Sequence, residues 1–277
     1  MTGLHRTAMA PVLWLVMTLT LALPSWAGST AADLSRTLKL DEIVGILHAE
    51  GMDYAASIER DMLPGRGGQL WDRTVERLYD QGTMRTGLEA ALARDMEHEQ
   101  IAAAEAFFGT EQGQSILTLE NAARAAMADS DIEEVARAAY ADAREAGDDR
   151  IEMIDRFVSA NDLVERNVAG ALSSNFQFFR GLVDGGAMTM SEQDIIADVW
   201  SQETEIRTDT EEWLYAFLMM AYQPLSDDTM QAYIAFSETS AGRALNGALF
   251  DGFEAVYRDI SYGLGLAAAQ AMLSSDL

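Results

Sequence analysis

The stretch AAEAFFGTEQG, residues 103–113, recurs later in the chain as AYIAFSETSAG, residues 232–242. Five positions are identical at a single offset of 129 residues, and both copies read Ala-x-x-Ala-Phe-x-x-Thr-x-x-Gly. Self-similarity of this kind in a sequence predicts structural units arranged in tandem. The repeated stretch therefore predicts a duplicated architecture made of two related units.

Each copy of the stretch has the composition of a corner between two helices. The phenylalanine closes one helix on its apolar face, and the threonine hydroxyl can accept a free amide of the next helix. The glycine lies in the first turn of that next helix, where another backbone can approach closely. We predict a structural role for these corners; the alternative, anion binding by the exposed amides, is opposed by the negative charge of the chain. The six corner residues are Phe107, Thr110, Gly113, Phe236, Thr239 and Gly242.

The sequence around the corners predicts an all-α fold. Good helix formers dominate, and after residue 27 the only prolines are Pro64 and Pro224. No stretch alternates β-branched and polar residues as a strand would. Apolar residues recur three and four apart in stripes that must be buried against other helices. One such stripe consists of Trp71, Val75, Leu78 and Tyr79.

Helix boundaries and a second, weaker repeat can also be predicted. Ser130 with Glu133 has the spacing of a capping box, and Ser191 and Ser226 can each begin a helix. A set of apolar residues that begins at Leu40 resembles another 111 residues later. The apolar, small stretch 262–269 predicts a terminal helix docked on the core, with a homodimer contact as the alternative. We expect a multi-helix array of two units, residues 28–147 and 148–277.

Residues 1–27 have the features of a bacterial export signal. One basic residue, Arg6, precedes an apolar run over 11–23, and Ser25-x-Ala27 offers small side chains to a signal peptidase. The run is shorter than the ~20 residues that span a bilayer. We expect cleavage after Ala27, no membrane span thereafter and a periplasmic location, with secretion into the medium still open. An uncleaved membrane anchor is the alternative to cleavage.

The chain is strongly acidic and has no cysteine. Its 45 acidic and 19 basic residues give a net charge of −26, and loss of Arg6 with the signal leaves −27. Such a charge repels nucleic acid and anionic membrane surfaces, but it could attract cations or a basic partner. The absence of cysteine excludes disulfides and thiolate metal sites.

No residue pattern predicts a catalytic, cofactor or metal site. His98 lacks the second histidine of a zinc-peptidase helix, and the chain has no pair of Glu-x-x-His motifs for a di-iron site. The sequence Asp129-Ser130-Asp131 begins like a calcium loop, but Ile132 occupies the next ligand position. We therefore expect no metal and no cofactor.

The corner motif, in an exported and helix-rich chain, resembles the bacterial family called domain of unknown function 2059. The resemblance is carried by Phe107 to Gly113 and again by Phe236 to Gly242. The first copy keeps an aromatic pair, whereas the second has Ser237 in place of the second aromatic residue. The resemblance implies two tandem copies, an all-α fold and export, and it implies no activity or site residue.

Two functions remain compatible with the sequence. The favoured one is a non-enzymatic binding protein whose faces hold a protein or peptide partner in the cell envelope. The alternative is a hydrolase whose acidic residues converge in a cleft between the units. A deep pocket with buried carboxylates or His98 would favour the enzyme, and an exposed apolar surface would favour binding. Homo-oligomer formation stays open for both.

Overall fold

The computed structural model describes residues 29–274 of the 277-residue chain. Residues 29–274 form helices and no strand, and the helices pack as a multi-helix array, so the predicted all-α fold is confirmed. In chain order the helices are α1 (Ala31–Thr37), α2 (Leu40–Met62), α3 (Gly68–Leu78), α4 (Gln81–Asp95), α5 (His98–Phe108), α6 (Glu111–Ala126), α7 (Ser130–Ala146), α8 (Asp149–Asn161), α9 (Leu163–Asp184), α10 (Glu192–Ser201), α11 (Glu203–Tyr222), α12 (Asp227–Ser237) and α13 (Ser240–Ser274).

The predicted signal segment, residues 1–27, lies outside the described residues, so its cleavage stays a prediction. Within residues 29–274, none of the helices combines the length and the apolar character that crossing a membrane requires.

Side-chain caps determine where several helices begin. Ser191 caps α10 and Ser226 caps α12, as predicted. At α7 the cap is Asp129 rather than Ser130, and its carboxylate accepts a hydrogen bond from the amide of Asp131 at 2.9 Å. The capping box predicted at Ser130 is therefore wrong. An aspartate caps a helix as well as a serine does, so the residue one position earlier can take the role.

The order of helices repeats along the chain. A residue in the left-handed conformation precedes the second helix of each unit: Lys39 (φ 55°) before α2, and Asp162 (φ 53°) before α9. Helix α1 packs on α2, α4 and α5, and in the second unit α8 packs on α9, α11 and α12. Helices α8 to α13 thus correspond in order to α1 to α6, and α7 is the additional helix between the two series.

This order corrects the upstream correspondence that the sequence suggested. The offset of 111 pairs Leu40 in α2 with Ile151 in α8, whereas the structure makes α9 the counterpart of α2. The left-handed residues Lys39 and Asp162 are 123 residues apart. Apolar residues three and four apart occur in every amphipathic helix, so their spacing alone cannot tell which helices correspond.

The two units pack into each other reciprocally. Ile116 in α6 is completely buried in a core cluster built mainly from α8, α11 and α12. Its counterpart 129 residues later, Leu245 in α13, is buried in the cluster of α1, α2, α4 and α5. In the same way α6 packs on α11, and α13 packs on α4. The predicted division at residue 147 falls between α7 and α8, but the cores extend across it.

Small residues allow α13 to lie very close to α9. A Cβ atom added to Gly265 would lie 2.1 Å from the carbonyl oxygen of Phe178, and one added to Gly181 would lie 2.4 Å from that of Tyr262. The apolar stretch 262–269 is part of α13, and most of its aliphatic residues are buried. Its predicted docking on the core is confirmed.

Candidate functional site

The two repeated corners have the same hydrogen bonds. In the first corner the Oγ1 atom of Thr110 accepts from the amide of Gly113 at 3.0 Å and donates to the carbonyl oxygen of Phe107 at 2.7 Å. The second corner has the equivalent two bonds, at the same two distances, around Thr239. Both hydroxyls thus satisfy an amide in the first turn of a helix, α6 in one unit and α13 in the other.

The corner glycines have no room for a side chain. A Cβ atom at Gly113 would lie 2.5 Å from the carbonyl oxygen of Phe107. At Gly242 it would lie 2.1 Å from the carbonyl oxygen of Phe236. These contacts are with backbone, which cannot move aside as a flexible side chain can. Glycine is therefore required by the close approach of the preceding helix end.

The two corners meet each other in the middle of the molecule. The rings of Phe107 and Phe236 are stacked, with centroids 4.3 Å apart and planes inclined by 9°. These are equivalent residues of the two copies, and equivalent residues touch each other where two related units are arranged around a local two-fold axis. The sequence indicates that the corners are repeated, and the structure adds that they form the contact between the units.

The stacked pair belongs to an aromatic cluster that joins the units. Tyr233 lies at its centre, because its ring contacts four other rings of the cluster with centroids between 4.7 and 6.1 Å away. The cluster consists of Phe107, Phe108, Phe157, Tyr222, Tyr233 and Phe236.

One carboxylate, that of Glu120 in α6, lies against this aromatic cluster. Its Oε1 atom accepts hydrogen bonds from the hydroxyl of Tyr222 at 2.6 Å and from that of Tyr233 at 3.2 Å. The residue is half-buried as a whole, but its carboxylate end is desolvated. Burial raises the pKa of Glu120 to about 7, although the two hydroxyl groups partly offset this effect. Burial and the neighbouring Glu120 also raise the pKa of both tyrosines well above 10.

Glu120 is a carboxylate with a perturbed pKa between the units, which is the feature that an acid or base catalyst would need. Its surroundings do not offer it a substrate, since both hydrogen-bond partners are protein side chains. The two main surface depressions in the described part of the chain lie elsewhere. One is lined by α7 and α11, and the other lies at the junction of α10 and α11. We therefore interpret Glu120 as part of the contact between units.

A salt bridge follows Glu120 by one helical turn. Arg124 donates to both carboxylate oxygens of Glu50 in α2 at 2.7 Å, and its guanidinium lies 4.9 Å from the ring centroid of Trp213 in α11. This group ties α6 to one helix of each unit. Because Glu50 already neutralises Arg124, the arginine does not favour ionisation of Glu120.

The two histidines of the described region lie apart from the contact between the units. His48 is half-buried, and its Nδ1 atom lies 2.8 Å from the carbonyl oxygen of Tyr79. His98 is exposed as the first residue of α5. Over residues 29–274, no group of three or more histidine and carboxylate side chains could hold a metal ion. Asp129, considered above as part of a calcium loop, is instead the cap of α7.

Helix α10 carries two large apolar side chains that point to solvent. Ile196 is 51% exposed and Trp200 is 66% exposed. The neighbouring Ile195 and Val199 are buried against α9, so the orientation of α10 is fixed by its packing. A monomeric protein does not need an exposed tryptophan for stability, and such residues are characteristic of interaction surfaces.

The sequence analysis did not single out these two features. Glu120 stands on the same face of α6 as Ile116 and Ala123, so a carboxylate within an apolar stripe was the available signal. On α10, two adjacent apolar pairs occupy positions 195–196 and 199–200, although one apolar stripe suffices to bury a helix.

One comparison with known proteins gave a match. Residues 82–142 match the model of a family described as uncharacterized protein conserved in bacteria, DUF2059. The match extends from α4 into α7 and contains the first corner, as the resemblance implied. No curated protein matches the chain, and no solved structure does. The findings thus identify one region of this family, residues 82–142, within the longer chain.

Proposed function

We propose that the protein is exported to the periplasm of a bacterium and acts by binding a partner of the cell envelope rather than by catalysis. The observation that carries the proposal is the exposed pair Ile196 and Trp200 on a firmly packed helix. A rigid helical array that presents an apolar face is suited to holding another protein.

Export is supported by the sequence of residues 1–27. It is tested by expressing the full gene in a Gram-negative host and determining the mass of the protein released from the periplasm. We expect a chain that begins at Gly28. Recovery only of an uncleaved chain from the cytoplasm or the membrane would contradict export.

We further propose that the second unit is a diverged copy of the family region that matches in the first unit. The identical corner motif, the same corner hydrogen bonds and the same helix order support this. The second copy has lost the aromatic pair, because Ser237 replaces the residue equivalent to Phe108.

The binding role is tested by capture from the cell envelope. The tagged, exported protein is crosslinked in living cells and purified, and the species that co-purify are quantified against the periplasmic pool. We expect one partner in near-stoichiometric amount. A monomer with no companion at native expression levels would contradict the binding function.

The hydrolase alternative has Glu120 as its best candidate residue. The hydroxyls of Tyr222 and Tyr233 occupy its Oε1 atom, which a catalytic carboxylate would keep for substrate or water. The arrangement therefore favours binding over hydrolysis.

A further inference from the structure

The exposed part of α10 is a defined surface, which we call the α10 face and which consists of Ile196 and Trp200 with the acidic residues around them. The two side chains are four positions apart, so they form a single ridge along the helix. Because Ile195 and Val199 are almost completely buried on the opposite side, the ridge cannot turn inward without unpacking α10 from α9.

The ridge lies in the part of the chain with an extreme acidic balance. Residues 191–212, which cover α10 and the start of α11, include eight acidic residues and one basic residue. That basic residue, Arg207, is already paired with Glu165 and Glu203. A shallow depression continues from the ridge along α11, and its lining includes Glu205, Asp209 and Glu212.

The fold itself does not require this acidity. The equivalent helices of the first unit, α3 and the start of α4, cover residues 68–90 and include four acidic and three basic residues. Leu70 on α3 is as exposed as Trp200, at 65%, but its surroundings are nearly neutral. The combination of an apolar ridge and a strongly negative rim is therefore specific to the α10 face.

We propose that the α10 face binds a cationic amphipathic helix of a partner protein, with aliphatic side chains against Trp200 and Ile196 and lysine or arginine over the acidic rim. This inference rests on the binding function proposed above. Charge complementarity selects the occupant, since a second copy of the chain would bring two acidic faces together. An anionic membrane surface would be repelled for the same reason.

The test uses the exported chain and two designed helical peptides, one with leucine and lysine faces and one with leucine and glutamate faces. Binding is measured by titration calorimetry. We expect the leucine–lysine peptide to bind and the leucine–glutamate peptide not to bind. Affinity should fall as NaCl is raised from 0.1 M to 1 M, because the screening length shrinks from ~10 Å to ~3 Å.

Two variants and their matched controls locate the binding surface. Ile196→Gln/Trp200→Gln keeps good helix formers and should weaken the leucine–lysine peptide at least about tenfold. Glu192→Gln/Glu205→Gln should weaken it and reduce the salt dependence. The controls on the equivalent helix α3 are Leu70→Gln for the ridge and Asp72→Asn/Glu76→Gln for the rim, and both should bind as the wild type does.

Each contrary outcome has a definite meaning. Equal binding of the two peptides, or full binding by Ile196→Gln/Trp200→Gln, overturns the α10 proposal. So does a wild-type dimer that this variant dissociates, or binding to phosphatidylglycerol vesicles that it abolishes. If envelope capture recovers the same partner with this variant as with the wild type, the α10 face is wrong but the binding function stands. If the wild type captures nothing, the proposed function itself fails.

Discussion

At the scale of single residues, Glu120 is the side chain whose environment departs most from that of a solvated group. Its carboxylate stands between the units with two tyrosine hydroxyls as partners, and the neighbouring arginine is already bound to Glu50. Two hydroxyl donors compensate only part of the hydration that an ionised carboxylate loses. The price of keeping this group charged should therefore appear as a pH dependence of stability.

We predict that Glu120 makes the protein less stable as the pH rises. Its pKa is about 7 when folded, against 4.5 for the unperturbed group. The folded state therefore holds the proton more tightly, so the contribution is complete below pH 4.5 and is lost as the pH rises through 7. A shift of this size corresponds to about 3 kcal/mol.

The measurement is urea unfolding of the wild type and Glu120→Gln at pH 5 and pH 8. The difference in unfolding free energy between the two proteins should move in favour of the variant at pH 8, by an amount on the order of 2–3 kcal/mol. Glu254→Gln, at an exposed position of α13, serves as the control and should show no such change. A difference that is constant with pH would show that the Glu120 carboxylate is not desolvated.

At the scale of elements, the repeated corner is a compact helix-to-helix junction. Its threonine ties the end of one helix to the first turn of the next, and its glycine lets the two backbones touch. The requirement for glycine is steric, so it can be separated from the general effect of glycine on a helix.

We predict that Gly113→Ala and Gly242→Ala each destabilise the protein by about 2 kcal/mol or more, because the new Cβ overlaps a carbonyl oxygen. Gly247→Ala is the matched control in α13, since a Cβ there would meet nothing within 4 Å. That variant should be neutral or more stable by up to about 1 kcal/mol. Thermal and urea unfolding measure all three. Equal effects at Gly242 and Gly247 would contradict the close contact.

The elements that the sequence predicts well are those with local causes. Ser191 and Ser226 cap helices because a hydroxyl next to a free amide is a local interaction. The pairing of α2 with α9 was not predictable from apolar spacing, since that spacing is common to all packed helices. The contact of Glu120 with Tyr222 spans 102 residues, and the exposure of Trp200 depends on what covers α10. Both are consequences of tertiary packing.

At the scale of the whole molecule, the two units complete each other. Ile116 is buried in a core made mainly by the second unit, and Leu245 is buried in that of the first unit. The stacked rings of Phe107 and Phe236 mark the centre of this arrangement. A unit separated from the other would expose the aromatic cluster and lack a helix that covers its core. Neither unit is therefore expected to be stable alone.

Separate production of residues 28–147 and residues 148–277 tests this reciprocal packing most directly. We expect each fragment alone to show reduced helicity and no cooperative thermal transition. When mixed or co-expressed, the fragments should form a one-to-one complex that regains the circular dichroism of the intact chain and a single transition. Two fragments that each unfold cooperatively on their own, with no change on mixing, would contradict the account.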